Sequence, residues 1–336
     1  MSDTYRIFGS ELSPYSIKVR SYFRYKDIAH DWVLRTEQNR AEFARYAKLP
    51  LVPLVVTPAG AGIQDSTPII DIMEAEYPDP SIHPDDPACA FASVLLEEYG
   101  DEWVNKPMFH YRWYYEPDRV YTAERIARTV FGAEGEALAQ AAAAVGERML
   151  GRLHFVGASE QTRPILEGSL HRLLGLLEAH LQDRDYLFGG RPAFGDFGLY
   201  AQLYECLSDP TAGAIMRAEA PAVVAWCERM LAPADGGAFE PWHAVAPTLL
   251  PLLSQEVAGL FLPWSDANAR ALAAGETGVE LELDGQPYAQ EVQKYHARSL
   301  QALRLRHAGL APEARAVVDA ALAETGCLPF LAVPAQ

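Results

Sequence analysis

Ser10-Glu-Leu-Ser-Pro-Tyr-Ser-Ile-Lys-Val-Arg20 follows a short apolar run, Tyr5, Ile7 and Phe8, and opens a helix. The apolar run reads as the end of a strand, and Gly9 breaks it, so that the chain turns before Ser13. Ser13 is placed to cap the helix, and Pro14 takes the first helical position, where a missing N–H costs nothing. Ile17, Val19, Tyr22 and Phe23 then give the helix one apolar face. The mouth of such a helix turns unpaired backbone N–H groups, the positive end of a dipole and one or two hydroxyls toward whatever lies in front of it. It suits an anion, and a thiolate is an anion. Capping alone is what most serines in this setting do, so the meaning of Ser13 rests on what the chain places opposite it.

Two later stretches bear on that. Within Lys48-Leu-Pro-Leu-Val-Pro-Leu-Val-Val56, Val52-Pro53 sets a proline at the start of a strand, where a cis bond would leave the Val52 backbone free to pair with an extended peptide. Further on, Gln64-Asp-Ser-Thr-Pro68 ends a strand and opens another helix, with Pro68 near its first position. That second mouth suits a carboxylate, held by backbone N–H groups and the Ser66 hydroxyl, while Asp65 suits an amine. An amine beside a carboxylate, then an extended peptide, then a thiol at a helix mouth: in that order the three sites describe glutathione.

On these three motifs the chain resembles the glutathione S-transferase family. The resemblance implies an α+β fold: a thioredoxin-like βαβαββα domain over residues 1–80, an all-helical domain over 88–232, and beyond them an extension, 233–336, that the family does not account for. It implies that Ser13 donates to the glutathione sulfur, with Tyr15 and Ser16 as competing hydroxyls, that Val52-Pro53 is the cis-proline turn, and that Asp65 and Ser66 hold the γ-glutamyl end. It also implies a homodimer, with glutathione as co-substrate and a small apolar electrophile as the second substrate. Lys48, just before the proline turn, is the choice for the glycine carboxylate of glutathione; a solvated lysine before a strand is the other reading.

The chain has 336 residues, 49% hydrophobic and 22% charged, enough for two domains with a substantial core. Its net charge of -17, from 45 acidic and 28 basic residues, argues against nucleic acid as a partner. An anionic ligand therefore needs local positive charge, and Lys18, Arg20, Arg40 and Lys48 are the nearest in sequence. The first residues lack a signal-peptide pattern and no apolar stretch reads as long enough to cross a bilayer, so the expectation is a cytoplasmic protein with no membrane partner. The four cysteines, Cys89, Cys206, Cys227 and Cys327, show no metal-ligand or disulfide spacing, and a metal site is not expected. None precedes residue 89, so mixed-disulfide chemistry at the first helix mouth is disfavoured: the thiol comes from the ligand.

Trp32 to Leu34 and Glu37 to Tyr46 read as a strand and a helix, Leu54 to Thr57 and Gly62 to Gln64 as a hairpin, Pro68 to Tyr77 as a closing helix. Pro78, Pro80, Pro84 and Pro87 form a linker. From Cys89 helices dominate. Met108-Phe-His-Tyr-Arg-Trp-Tyr-Tyr115 is dense in aromatics, and the resemblance implies that Trp103, Phe109, Tyr111 and Trp113 wall the electrophile pocket; ordinary core and dimer packing is the competing reading. Ala123 to Leu153 is alanine-rich and helical, Leu166 to Leu181 amphipathic. Ala193 stands where the family's capping motif has a hydroxyl, and Asp196 is kept, a folding residue. In the extension, Phe239-Glu-Pro-Trp242 and Phe261-Leu-Pro-Trp264 are two similar phrases too weak to be a repeat. A hairpin is predicted around Asp284-Gly285, then helices over Gln290 to Arg306 and Pro312 to Glu324. A catalytically silent glutathione-binding or scaffold protein of the same fold, and a glutathione-dependent isomerase or lyase, are the alternatives to a transferase.

Overall fold

The computed structural model describes residues 4–333. Strand β1 (Tyr5–Gly9), helix α1 (Pro14–Tyr25), strand β2 (His30–Leu34), helix α2 (Arg40–Tyr46), strands β3 (Leu54–Val56) and β4 (Gly62–Gln64) and helix α3 (Ser66–Glu76) follow in the βαβαββα order. The sheet runs β2-β1-β3-β4, with β2 parallel to β1 and the other neighbours antiparallel. Alternation along β1 decides which side each helix covers. Tyr5 and Ile7 face α1 and α3, packing with Ile17, Tyr22 and Ile69, whereas Phe8 faces α2 and meets Phe43. Gly9 ends the strand from inside it, paired with Leu34; a Cβ there would lie 2.2 Å from the Trp32 ring, so close packing, more than turn formation, is what a glycine serves here. The Val52-Pro53 bond is cis, and so is Asp79-Pro80 in the linker.

The second layer is helical. Helix α4 (Pro87–Tyr99) passes through one wide π turn (Gly100–Val104) into α5 (Asn105–Tyr114). Helices α6 (Glu116–Phe131) and α7 (Gly135–Leu150) follow. They divide the alanine-rich region, because Gly132 takes φ 62° and turns the chain. Helices α8 (Arg163–Leu181), α9 (Phe194–Ser208), α10 (Pro210–Glu219) and α11 (Pro221–Arg229) complete the bundle. The leucines at 170, 173, 174, 177 and 181 of α8 are all buried. Helix α9 is the axle: it packs on both α1 and α4, which joins the bundle to the sheet domain.

The extension brings the main correction to the sequence reading. Helix α12 (Trp242–Leu252), a π segment (Leu253–Phe261) and α13 (Leu262–Ala273) form one helical run, where the sequence suggested only two short phrases. By length and composition that run is long enough and apolar enough to cross a bilayer, contrary to the expectation that no stretch is; half of its apolar window is buried within this fold. Pro247 and Pro251 inside α12 hid it, since an internal proline ordinarily argues against a helix. Its apolar face, including Leu249, Val257, Phe261 and Trp264, merges into the same core cluster as the first two layers. Strands β5 (Gly278–Leu283) and β6 (Gln286–Glu291) form the predicted hairpin, Asp284 and Gly285 both having positive φ, as a two-residue turn of matching twist requires. Helices α14 (Lys294–Ala308), α15 (Pro312–Leu322) and α16 (Leu328–Leu331) end the described chain. Gln290 belongs to β6 rather than to the following helix.

Candidate active site

Ser13 has extended backbone angles, φ -113° and ψ 111°, and its side chain accepts a hydrogen bond of 3.3 Å from Ser16 N–H, closing the first turn of α1. A hydroxyl that accepts still has its own hydrogen to give. The loop before it is fixed from the helical layer: Arg112 donates 3.0 Å to the Leu12 carbonyl while Asp209 (2.7 Å) and Glu205 (2.6 Å) hold the same guanidinium, all three side chains being buried. The two competing hydroxyls are placed differently. Tyr15 donates to the Asp101 carbonyl at 3.0 Å and accepts from Asn105 at 3.3 Å. Burial, with Asp101 and Glu102 adding to it, keeps this phenol well above its usual pKa and therefore neutral. Ser16 is fully buried and its Oγ has no hydrogen-bond partner. Ser13 and Tyr15 line a cleft of about 600 Å³ between the two layers.

A second cavity, of about 420 Å³, adjoins this cleft through Tyr15, Leu51 and Val52. Lys48, Val52, Pro53, Asp65 and Ser66 all line it. Ser66 opens α3, and Asp65, the residue before it, has φ 79° and ψ 125°, a positive φ outside the left-handed helical basin and costly for a residue that carries a Cβ. Pro68 is the third residue of α3 rather than the first. Gln64, which sequence reasoning passed over, holds the Lys48–Leu51 loop: its Oε1 accepts from the N–H groups of Lys48 (2.7 Å) and Leu49 (3.0 Å), and its Nε2 donates to the carbonyls of Leu49 (2.9 Å) and Leu51 (2.8 Å). No local pattern marks such a clamp, because the partners lie 13 to 16 residues back along the chain.

Of the four cations nearest in sequence, Lys48 alone among them lines this cavity, and it is exposed. Lys18 is wholly buried and paired with Glu97 and, at 2.7 Å, with Asp101. Desolvation pulls its pKa down, but the two carboxylates outweigh that and keep it charged. It also donates to Thr67 at 3.2 Å, which makes it a strut joining α1, α3 and α4 behind the site. Arg20 pairs with Glu11 at 2.6 Å and stacks over Trp32, and Arg40 pairs with Glu37 at 3.5 Å.

The four aromatic residues separate by helical phase. Phe109 and Trp113, four residues apart on α5, both line the larger cleft. Tyr111 lies on another face of α5, buried and stacked on Tyr115. Trp103 sits in the π turn, fully buried, its indole N–H donating 3.0 Å to Ser169 and its ring against Trp264 and Tyr288. Neither Tyr111 nor Trp103 is in the lining of the cleft; the wall is completed by Met108, Ile126 and Met149. His110 donates from Nε2 to Glu167 at 3.0 Å and is likewise buried, with desolvation holding its pKa down.

The fold and its two helix mouths define a class: a thioredoxin-like domain followed by a helical one. Family models agree. Residues 7–81 match the glutathione S-transferase N-terminal domain and residues 136–229 the glutathione S-transferase C-terminal domain. The chain belongs to the glutathione S-transferase family, and neither match reaches past residue 229. Among solved structures it is similar to a glutathione S-transferase from Methylobacterium radiotolerans in complex with glutathione sulfonate, at 22% identity and TM-score 0.43, covering 70% of this chain and 96% of that chain. It is similar also to the beta-etherase LigF from Sphingobium sp. strain SYK-6, at 17% identity and TM-score 0.46 over 67% and 94% of the respective chains. A Tau class enzyme from mango, Mangifera indica, gives 16% identity and TM-score 0.41 over 68% and 88%. Comparison with curated proteins gives no match.

Proposed function

We propose that the chain binds glutathione across the two helix mouths and activates its thiol for attack on an apolar electrophile. The supporting observation is the convergence of Lys48, Val52, Pro53, Asp65 and Ser66 on one cavity that opens into the cleft lined by Ser13, Phe109 and Trp113. In this reading the γ-glutamyl carboxylate lies at the N-terminus of α3 beside Ser66, its amine pairs with Asp65, the cysteinyl backbone runs along Val52, and the glycine carboxylate meets Lys48. The sulfur then reaches the mouth of α1. There the Ser13 hydroxyl donates to it and the helix dipole favours the anion, which lowers the thiol pKa from about 8.5 toward neutrality. Phe109, Trp113 and their aliphatic neighbours hold the electrophile against the thiolate. Four buried cysteines, none paired, suit a reducing compartment, and we assign the protein to the cytoplasm.

The deciding measurement is thiolate absorbance against pH for bound glutathione. Ser13→Ala should raise the thiol pKa by roughly one unit and slow conjugation about 10- to 100-fold; an unchanged pKa would remove Ser13 from this role. Titration calorimetry of the wild type with glutathione tests the site itself, and the absence of heat and of competition by an S-alkyl glutathione would end the proposal. A panel of halide, epoxide, ether and enone substrates then identifies the reaction.

A further inference from the structure

We propose that Tyr295, supplied by the C-terminal extension, completes the end of the cavity that receives the ligand's ammonium group, so that Asp65 and helix α14 recognise it together. This rests on the reading that glutathione lies in that cavity. The Tyr295 hydroxyl donates 2.9 Å to Asp65 Oδ2, across 230 residues of sequence, and the Tyr295 ring lines the same cavity as Lys48 and Ser66. With the ring in place the cavity keeps about 420 Å³, within the range of roughly 300–1,000 Å³ that small-ligand sites occupy. Tyr295 is therefore a wall and not a plug.

The chemistry follows from the inventory of a carboxylate. Each oxygen accepts independently, so a phenol on Oδ2 fixes the Asp65 rotamer and leaves Oδ1 to meet an ammonium. A partner already fixed loses less conformational freedom when the ligand arrives. Tyr295 is 52% exposed as a whole, but crowding around its hydroxyl, and after it Asp65 and Glu102, hold the phenol pKa above its usual value, which keeps Tyr295 a donor. The helix that carries it is docked on its own account. Ser299 donates to Glu98 of α4, His296 lies against Glu102 of the π turn, and Arg306 pairs with Asp71 of α3 at 2.8 Å. Tyr295, Ser299 and Arg306, spaced four and then seven residues, share one stripe of α14. Leu300, Leu303 and His307 on the adjoining stripe are buried.

The test compares two ligands on the full chain by titration calorimetry: glutathione, and the same tripeptide lacking its amino group. Wild type should prefer glutathione. Tyr295→Phe keeps the ring and should weaken glutathione roughly three- to tenfold while leaving the deaminated tripeptide within about twofold. In an Asp65→Ala background the same substitution should have little further effect, because no side-chain acceptor is left at that position. A purely structural role would weaken both ligands alike, and that result, or equal discrimination in wild type and variant, overturns the inference while leaving the glutathione site standing. Failure of the wild type to bind glutathione at all overturns both.

Discussion

Asp196 lies wholly buried at the start of α9, where three N–H donors converge on its carboxyl: Leu187 N and the Trp226 indole on Oδ1, Ala193 N on Oδ2, each at 2.9 Å. Ala193 has no side-chain oxygen to return the favour, so the cap depends on Asp196 alone. Burial pushes this carboxyl up to about 7, against the downward pull of the same donors. In an unfolded chain an aspartate titrates near 3.9, roughly, so the folded protein binds this proton more tightly; the stability it confers is complete below about pH 4 and lost as pH rises through about 7. Asp196→Asn removes the titration and turns an amide N–H toward the Ala193 N–H, which should cost about 2–4 kcal/mol at about pH 5. Urea unfolding at about pH 5 and about pH 8 should show the gap between wild type and variant narrowing with pH. A gap that widens would mean that the donors stabilise the carboxylate more than burial disfavours it.

At the scale of elements, the crossing of α4 and α9 sets where the site residues stand. The helices touch at glycines: a Cβ on Gly198 would lie 2.9 Å from the Glu97 Cα, one on Gly195 2.7 Å from the Ser93 carbonyl oxygen, and one on Gly100 2.8 Å from the Gly198 carbonyl carbon. Contacts that short are with backbone, which cannot rotate aside. Gly198→Ala should therefore push the helices apart and cost about 1–3 kcal/mol, read by chemical denaturation; an unchanged midpoint would show that α4 shifts freely. Such a shift would be felt beyond the crossing. Glu97 pairs with Lys18 and accepts from Thr67 at 2.6 Å, so the spacing of α4 from α9 bears on how α1 and α3 present their N-termini.

For the whole molecule the decisive fact is that the extension shares one core with the rest. Val245, Leu249, Val257, Leu260, Phe261 and Trp264 are all buried in it. Glu256, also buried, accepts from Tyr99 (2.7 Å), Ser169 (2.6 Å) and Arg172 (2.6 Å), tying the extension to α4 and α8. A chain cut after Ala232 would expose that apolar surface and leave those donors without their acceptor. It should be poorly soluble and lack a cooperative thermal transition, as followed by circular dichroism. A cooperative melt with glutathione binding intact would show instead that the first two layers stand alone.

Much of this was written locally. Ser13-Pro14 fixes a helix start, Asp284-Gly285 fixes a hairpin turn, and the period-2 run of β1 sorts its side chains between two faces, because each depends on backbone preferences within a few residues. The relative placement of distant segments was not. Gln64 clamping the Lys48 loop, Tyr295 meeting Asp65, Trp103 entering the core while Phe109 and Trp113 face the cleft, and a proline-bearing helical run buried against α8 all depend on surfaces meeting across the fold. The sequence by itself determined the thioredoxin-like order, its helix starts and its turns. Only the tertiary structure decided which side chains share a cavity, since that depends on how layers pack, and the free energy of packing belongs to pairs of surfaces that no single stretch contains.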